Sequence, residues 1–225
     1  MYKILCTILV VLGLDVSHHQ GKIDWDKVPT KYEYVYIKAT EGTDWQDPKY
    51  LYNFNHASKK FNVGSYHYLT TSNIYKQFYN YKNNTKQQNL IPMVDVEIEG
   101  VKQWSKKELW ENLDIFIELC EKEYGVKPII YSTQRSYNTL LSPRYNNFIL
   151  MIGRYSKKEP ECKWDIWQYT EKGKIDGIKK NTDISKTSDI SHIKYKDAKI
   201  IKNEKKSKLH FLFKTWEYCR ALIVG

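Results

Sequence analysis

Apolar and polar positions along the chain follow two alternating rhythms. Short runs rich in Val, Ile and Tyr occur at 9–16, 34–39, 63–69 and 90–97, and again at 128–132, 148–154, 165–169 and 182–184. Between the earlier runs lie helix-like stretches, and this alternation predicts βα units around a parallel sheet. The clearest helix spans 105–124, where Leu109, Leu113, Phe116, Ile117 and Cys120 line one face. Ser105 and Glu108 have capping-box spacing at its start, and Gly125 stands where a C-cap belongs. Asp47-Pro48 predicts the start of another helix, with Asp as N-cap and Pro at the first helical position, running to about Phe61. The polar stretch from Ser72 to Gln88 predicts a third. The last three strand candidates are separated by too little chain for full helices. The expected fold is therefore α/β, an irregular TIM-like (β/α) barrel with eight strands and fewer helices.

In such a barrel the active site sits at the C-terminal ends of the strands. Those ends carry Asp15, the group Tyr66-His67-Tyr68, the group Asp95-Val96-Glu97, Tyr131, Arg154, the group Trp167-Gln168-Tyr169, and Asp183. Four carboxylates and a set of aromatic rings are thus expected at one mouth. Asp95 and Glu97 are two apart on a strand, so their side chains share a face with Cα atoms about 6.5–7 Å apart, while Val94 and Val96 face the helices. Carboxylates that close raise the pKa of one of them. The protonated one can donate to a glycosidic oxygen while the other stabilises positive charge on the sugar. Glu97 is the better donor because its extra methylene reaches further. Asp-x-Glu alone is a commonplace, solvated pair; here it ends an apolar strand, where charge is costly without a purpose.

Other residues say less. His18, His19 and His67 lack the carboxylate spacing that would complete a metal site, so they read as satisfied polar or cleft-lining groups. Ser17 beside His18 cannot form a triad, since neighbouring residues on a strand end do not present the required geometry. Lys38 and Glu41 are either an ion pair supporting the site or direct substrate contacts, with the supporting role favoured.

Composition narrows the class. The 225 residues are 41% hydrophobic and 28% charged, an ordinary globular balance. Aromatic residues reach 15%, with 19 Tyr and 7 Trp, suited either to a core or to the flat faces of sugars. Net charge is +10, but the stretch 184–225 holds ten Lys or Arg against Asp189, Asp197, Glu204 and Glu217. The charge is thus concentrated in a tail without a nucleic-acid motif, and no nucleic-acid partner is expected. Cys6, Cys120, Cys162 and Cys219 have no metal-ligand spacing; neither metal nor cofactor is expected. Residues 1–12 read either as a short signal peptide or as the start of the first strand, and are too short for a membrane span. Residues 13–190 are expected to form the catalytic barrel, and 191–225 a basic extension of unknown role.

The motifs Gly-Leu-Asp-Val-Ser-His-His-Gln-Gly-Lys-Ile-Asp-Trp (13–25), Tyr-Ile-Lys-Ala-Thr-Glu-Gly (36–42), Val-Gly-Ser-Tyr-His-Tyr (63–68), Pro-Met-Val-Asp-Val-Glu (92–97), Pro-Ile-Ile-Tyr-Ser (128–132) and Ile-Trp-Gln-Tyr (166–169) stand in one order. That ordered set resembles the family 25 glycoside hydrolases, the Chalaropsis-type lysozymes, over about residues 13–190. The resemblance implies an N-acetylmuramidase that cuts the β-1,4 bond from N-acetylmuramic acid to N-acetylglucosamine in peptidoglycan, acting as a secreted or envelope monomer. It assigns the catalytic acid to Glu97, a substrate-orienting or intermediate-stabilising role to Asp95, and further cleft acids to Asp15 and Asp183. Tyr66, Tyr68, Tyr131, Trp167 and Gln168 match groove positions, and His67, Lys38 and Glu41 are carried as substrate-binding candidates. The setting of Asp183, Asn181-Thr182-Asp183-Ile184-Ser185, is more polar than the family's usual Val-Asp-Leu. A chitinase-like barrel would need an Asp where Met93 stands. The remaining rival is a catalytically inactive module that binds peptidoglycan.

Overall fold

The computed structural model describes residues 10–195. Its strands are β1 (Val11–Val16), β2 (Tyr32–Glu41), β3 (Trp45–Gln46), β4 (Asn62–Tyr68), β5 (Met93–Asp95), β6 (Ile129–Thr133), β7 (Leu150–Gly153), β8 (Ile166–Ile175) and β9 (Ile178–Thr187). The order β1-β9-β8-β7-β6-β5-β4-β2, with β1 paired to β2, closes eight strands into a barrel. The two-residue β3 hangs antiparallel on the end of β2. The helices are α1 (Tyr50–Ala57), α2 (Ile74–Asn84), the single turn α3 (Ile98–Val101), α4 (Lys106–Tyr124) and the single turn α5 (Gln134–Ser136).

Period-two alternation sorts the strand residues into two layers. Leu14, Val35, Ile37, Val63, Val94, Ile130 and Ile152 face outward and pack with α1, α2 and α4 side chains such as Phe54, Phe78 and Phe116. Tyr34, Tyr36, Met93, Ile129, Met151 and Ile166 fill the interior. Two glycines make room for the large interior tyrosines: a Cβ on Gly13 would stand 2.0 Å from the Tyr34 ring, and one on Gly64 would stand 2.3 Å from the Tyr36 ring. The barrel is thus a packed core with a mouth at one end.

The long helix α4 forms where its signals predict. Glu108 N donates to Ser105 Oγ (3.2 Å), Ser105 N donates to Glu108 Oε2 (2.7 Å), and Gly125 ends it at φ 71°. The other two helices are shorter than expected. Asp47 and Pro48 precede α1 rather than starting it: the N-cap is Lys49, without a side-chain cap bond. The Asp47 carboxylate accepts instead from Lys49 N (2.8 Å) and His18 N (2.8 Å), tying the β1 loop to the β3–α1 turn.

The last strand departs from the parallel expectation. β9 runs antiparallel to both β8 and β1, so Asp183 lies within a strand, paired in register with Asp15, rather than at a parallel strand end. Only Asp176 and Gly177 (φ 87°) separate β8 from β9. Two residues make a hairpin, whereas a parallel return needs a crossover of a dozen or more.

At the N-terminal end of the barrel, Ile193 is fully buried against Leu90 and Ile91, and Ile91 N donates to its carbonyl (2.9 Å). The packed chain therefore continues past residue 190. Residues 11 and 12 belong to β1. The possible leader at 1–9 and the basic stretch 196–225 lie outside the described residues.

Candidate active site

Asp95 is the last residue of β5, and Glu97 follows with extended backbone (φ −122°, ψ 149°), so both side chains point into the mouth while Val94 and Val96 are buried in the outer layer. Val96 is pinned to β6 from both sides: its N–H donates to Tyr131 O (2.9 Å) and its carbonyl accepts from Ser132 Oγ (2.7 Å). Asp95 is buried, and its Oδ1 makes no hydrogen bond with any described group. Burial lifts the Asp95 carboxyl well above its usual range, and the Glu97 charge adds to the effect; the Lys38 ammonium opposes it. Burial also raises Glu97, again opposed by Lys38 and reinforced by Glu99. Near neutral pH the two act as one titrating pair that favours holding a proton.

Asp15 and Asp183 face each other across the β1–β9 pairing. Asp15 is buried, and burial followed by the Asp183 charge raises its pKa well above normal. Its Oδ2 accepts from Ser185 Oγ (3.2 Å) and Gln168 Nε2 (3.4 Å). Tyr34 OH donates in turn to Ser185 Oγ (2.9 Å). Asp183 is raised to about 6 by burial, then by the charges of Glu171 and Glu97. The four acids named from sequence are therefore brought to one mouth, electrostatically linked from Asp15 through Asp183 to Glu97.

The other candidates divide. Gln168 faces inward, and its Oε1 accepts from Tyr131 OH (2.8 Å) and Tyr155 OH (3.0 Å). Tyr66 and Tyr68 also face the acids; burial raises both phenols, with Asp95 the next cause for each. Lys38 Nζ bonds Glu41 Oε2 at 2.6 Å and lies 4.8 Å from the Tyr68 ring centroid and 5.0 Å from that of Trp45. Lys38 and Glu41 thus form an ion pair at the edge of the mouth.

His67 and Trp167 lie elsewhere. His67 alternates with Tyr66 and Tyr68 and points outward. Its Nε2 meets Gln77 Oε1 (3.2 Å), so Nε2 carries the proton and Nδ1 accepts from Thr40 Oγ1 (2.8 Å). Its ring stacks on Phe116, and burial lowers its pKa to about 4, which keeps it a neutral core group. Trp167 lies on the opposite face of β8 from Gln168, with Nε1 donating to Arg154 O (2.8 Å) and Lys186 Nζ 4.4 Å from the ring centroid. Neither reaches the mouth.

Two mouth residues were not singled out from the sequence. Tyr155, 48% exposed, closes the β7 side through its bond to Gln168 and lies within the field of Asp183 and Glu97. Trp45, 37% exposed, forms the β2 side beside Lys38 and edge-on to His18. Each follows a named strand end, and that position was the available signal.

Inward carboxylates at the mouth of a closed barrel, two of them adjacent on one strand face, form the layout of a glycoside hydrolase. The sequence profile described as Glycosyl hydrolases family 25 matches residues 14–178, and the chain belongs to that family. It is similar to the uncharacterized protein YegX of Escherichia coli K12, 30% identical over 179 residues covering 74% of this chain and 65% of YegX. The chain thus spans just under two thirds of that relative. An autolytic lysozyme of Clostridium acetobutylicum is 24% identical over 181 residues, which cover 79% of this chain and 56% of the lysozyme. Among solved structures, a family 25 glycosyl hydrolase from Bacillus anthracis superposes with a TM-score of 0.73 at 30% identity, covering 81% of this chain and 90% of that one.

Proposed function

We propose that the protein is an N-acetylmuramidase that hydrolyses the β-1,4 bond between N-acetylmuramic acid and N-acetylglucosamine in bacterial peptidoglycan. The observation that carries this reading is the Asp95–Glu97 pair at the mouth: Asp95 buried and Glu97 half-buried, both raised in pKa and facing the same space as Asp15 and Asp183.

Glu97, the more accessible of the pair, is the general acid. The 2-acetamido N–H of the muramic acid donates to Asp95, whose Oδ1 has no protein partner, and this contact favours ionised Asp95 and leaves the proton on Glu97. The acetamido carbonyl oxygen attacks C1 as the C1–O bond breaks, and the Glu97 proton goes to the departing O4 of the glucosamine. Asp95 stabilises the positive charge of the oxazolinium ring. Glu97, now ionised, takes a proton from water as that water attacks C1 and reopens the ring. Attack twice on the same carbon retains the configuration. Tyr66, Tyr68, Tyr131 and Gln168 shape the groove, with Asp15 and Asp183 supplying further polar contacts.

The enzyme works on the cell wall as a secreted or envelope protein, as a monomer and without nucleic acid. Among the described residues no helix is long and apolar enough to cross a membrane. In a turbidity assay the protein should clear suspended peptidoglycan, and Glu97→Gln should lose at least about 10²-fold in rate, the scale of a general acid. A Glu97→Gln variant with near-normal activity would overturn the assignment. Binding to the wall without turnover by the unaltered protein would support the inactive binding module instead.

A further inference from the structure

The carboxylates of the mouth face one conspicuous cation. Lys38 projects inward from β2, buried, with its ammonium clasped by Glu41 and held between the rings of Tyr68 and Trp45. A lysine carries strong hydration and a flexible stem, so holding its head group in a nearly dry place needs a partner that fixes it. Glu41 is that partner, three residues on along the same strand and more exposed, with 38% of its side chain accessible against 10% for Lys38.

We infer that Lys38 and Glu41 form an adjustable electrostatic clasp, with Lys38 as a positioning residue that sets how many protons the Asp95–Glu97 pair holds. The inference rests on the proposed function for its consequence in catalysis, but its physical content concerns the free protein. The groups facing the pair are Asp15 from β1, Glu41 and Lys38 from β2, Tyr66 and Tyr68 from β4, Glu99 from α3, Tyr131 from β6, Tyr155 after β7 and Asp183 from β9. The carboxylates disfavour charge on the pair, and the phenols stay neutral because burial raises them. Lys38 acts on both members: its ammonium lies over the ring of Tyr68, which is the register partner of Asp95 on β5. His19, on the loop after β1, is itself pushed toward neutrality by burial, then by His18 and Lys38.

The clasp has a sign that a merely structural ion pair lacks. Removing the Lys38 charge leaves the carboxylates unopposed, so the pair binds protons more tightly. Removing the Glu41 charge deletes one repelling anion and leaves Lys38 unneutralised, so the pair binds protons less tightly. Loss of packing at either position would not move the two in opposite directions.

The test is a ¹³C-carboxyl NMR titration of the full chain, with the pair's signals identified by their loss in Asp95→Asn and Glu97→Gln, run beside the pH–rate profile. Lys38→Met should raise the pair's midpoints by about one unit, the lower end of the range for an opposite charge nearby. Glu41→Gln should lower them, and Lys38→Arg should leave them close to the parent. Both limbs of the activity profile should move with the midpoints. Midpoints that stay in place, or move the same way in both charge variants, would overturn the inference. Should Lys38→Met not fold, Glu41→Gln at the exposed end decides alone, by lowering the midpoints or not. Opposite shifts in a protein without glycosidase activity would sink the proposed function and leave the clasp; an active enzyme with unmoved midpoints would do the reverse.

Discussion

Asp183 has a raised pKa that can be followed through stability as well as activity. Its carboxyl titrates at about 6 in the folded protein, chiefly because it is buried, against an ordinary value of 3.8. A carboxyl raised by folding binds its proton more tightly when folded. Its stabilising contribution is fully present below about pH 4 and is lost as pH rises through 6. Asp183→Asn should therefore be more stable than the parent at pH 8, by roughly 1–2 kcal/mol, and equal to it near pH 4. Thermal melts at both pH values check this; a variant less stable at pH 8 would show that Asp183 is held by favourable contacts instead. Asp15, Asp95 and Glu97 were legible because each stands beside an apolar run, where charge is conspicuous, whereas Asp183 sits in the polar stretch Asn181-Thr182-Asp183-Ile184-Ser185, which marks it far less. His67 and Trp167 lie away from the mouth for a reason present in the sequence, and for His67 the structure favours the satisfied polar reading over the cleft-lining one. Along a strand only alternate residues share a face. Once Tyr66 and Tyr68 are given to the mouth, His67 must point to the helices, and Gln168 in the mouth sends Trp167 to the outside.

At the scale of elements, close fit between strands explains the glycines of the barrel interior. Gly64 lies under the Tyr36 ring, whose OH donates to Ile91 O (3.0 Å), so the ring cannot turn aside without losing that bond. Gly64→Ala should destabilise by about 1–3 kcal/mol through overpacking, read as a lower Tm. An unchanged Tm would mean that the interior repacks freely. Helix α4 was legible to within a residue because periodicity, capping box and C-cap glycine agree, and Ser105→Ala should cost about 1 kcal/mol in the same measurement. The direction of β9 was harder to read. Asp176-Gly177 is a hairpin signal, but the residues around it, Lys172, Lys174, Lys179 and Lys180, are polar and exposed, so no long apolar run marks the two arms. The hairpin brings Asp183 opposite Asp15 without any crossover helix.

For the molecule as a whole, the barrel separates stability from chemistry. Apolar side chains fill the outer layer and the lower interior, while the carboxylates whose pKa is raised gather at the mouth between Trp45 on one side and Tyr155 on the other. That division follows from the architecture, since strand ends and their loops are free to carry costly groups that the packed layers hold in place. The central claim concerns which bond this mouth cuts. Digested peptidoglycan can be reduced with borohydride, hydrolysed and analysed for its amino-sugar alcohols, which reveals the new reducing ends. The proposed mechanism predicts muramicitol, absent from the Glu97→Gln digest; glucosaminitol, or no new reducing ends at all, would contradict it.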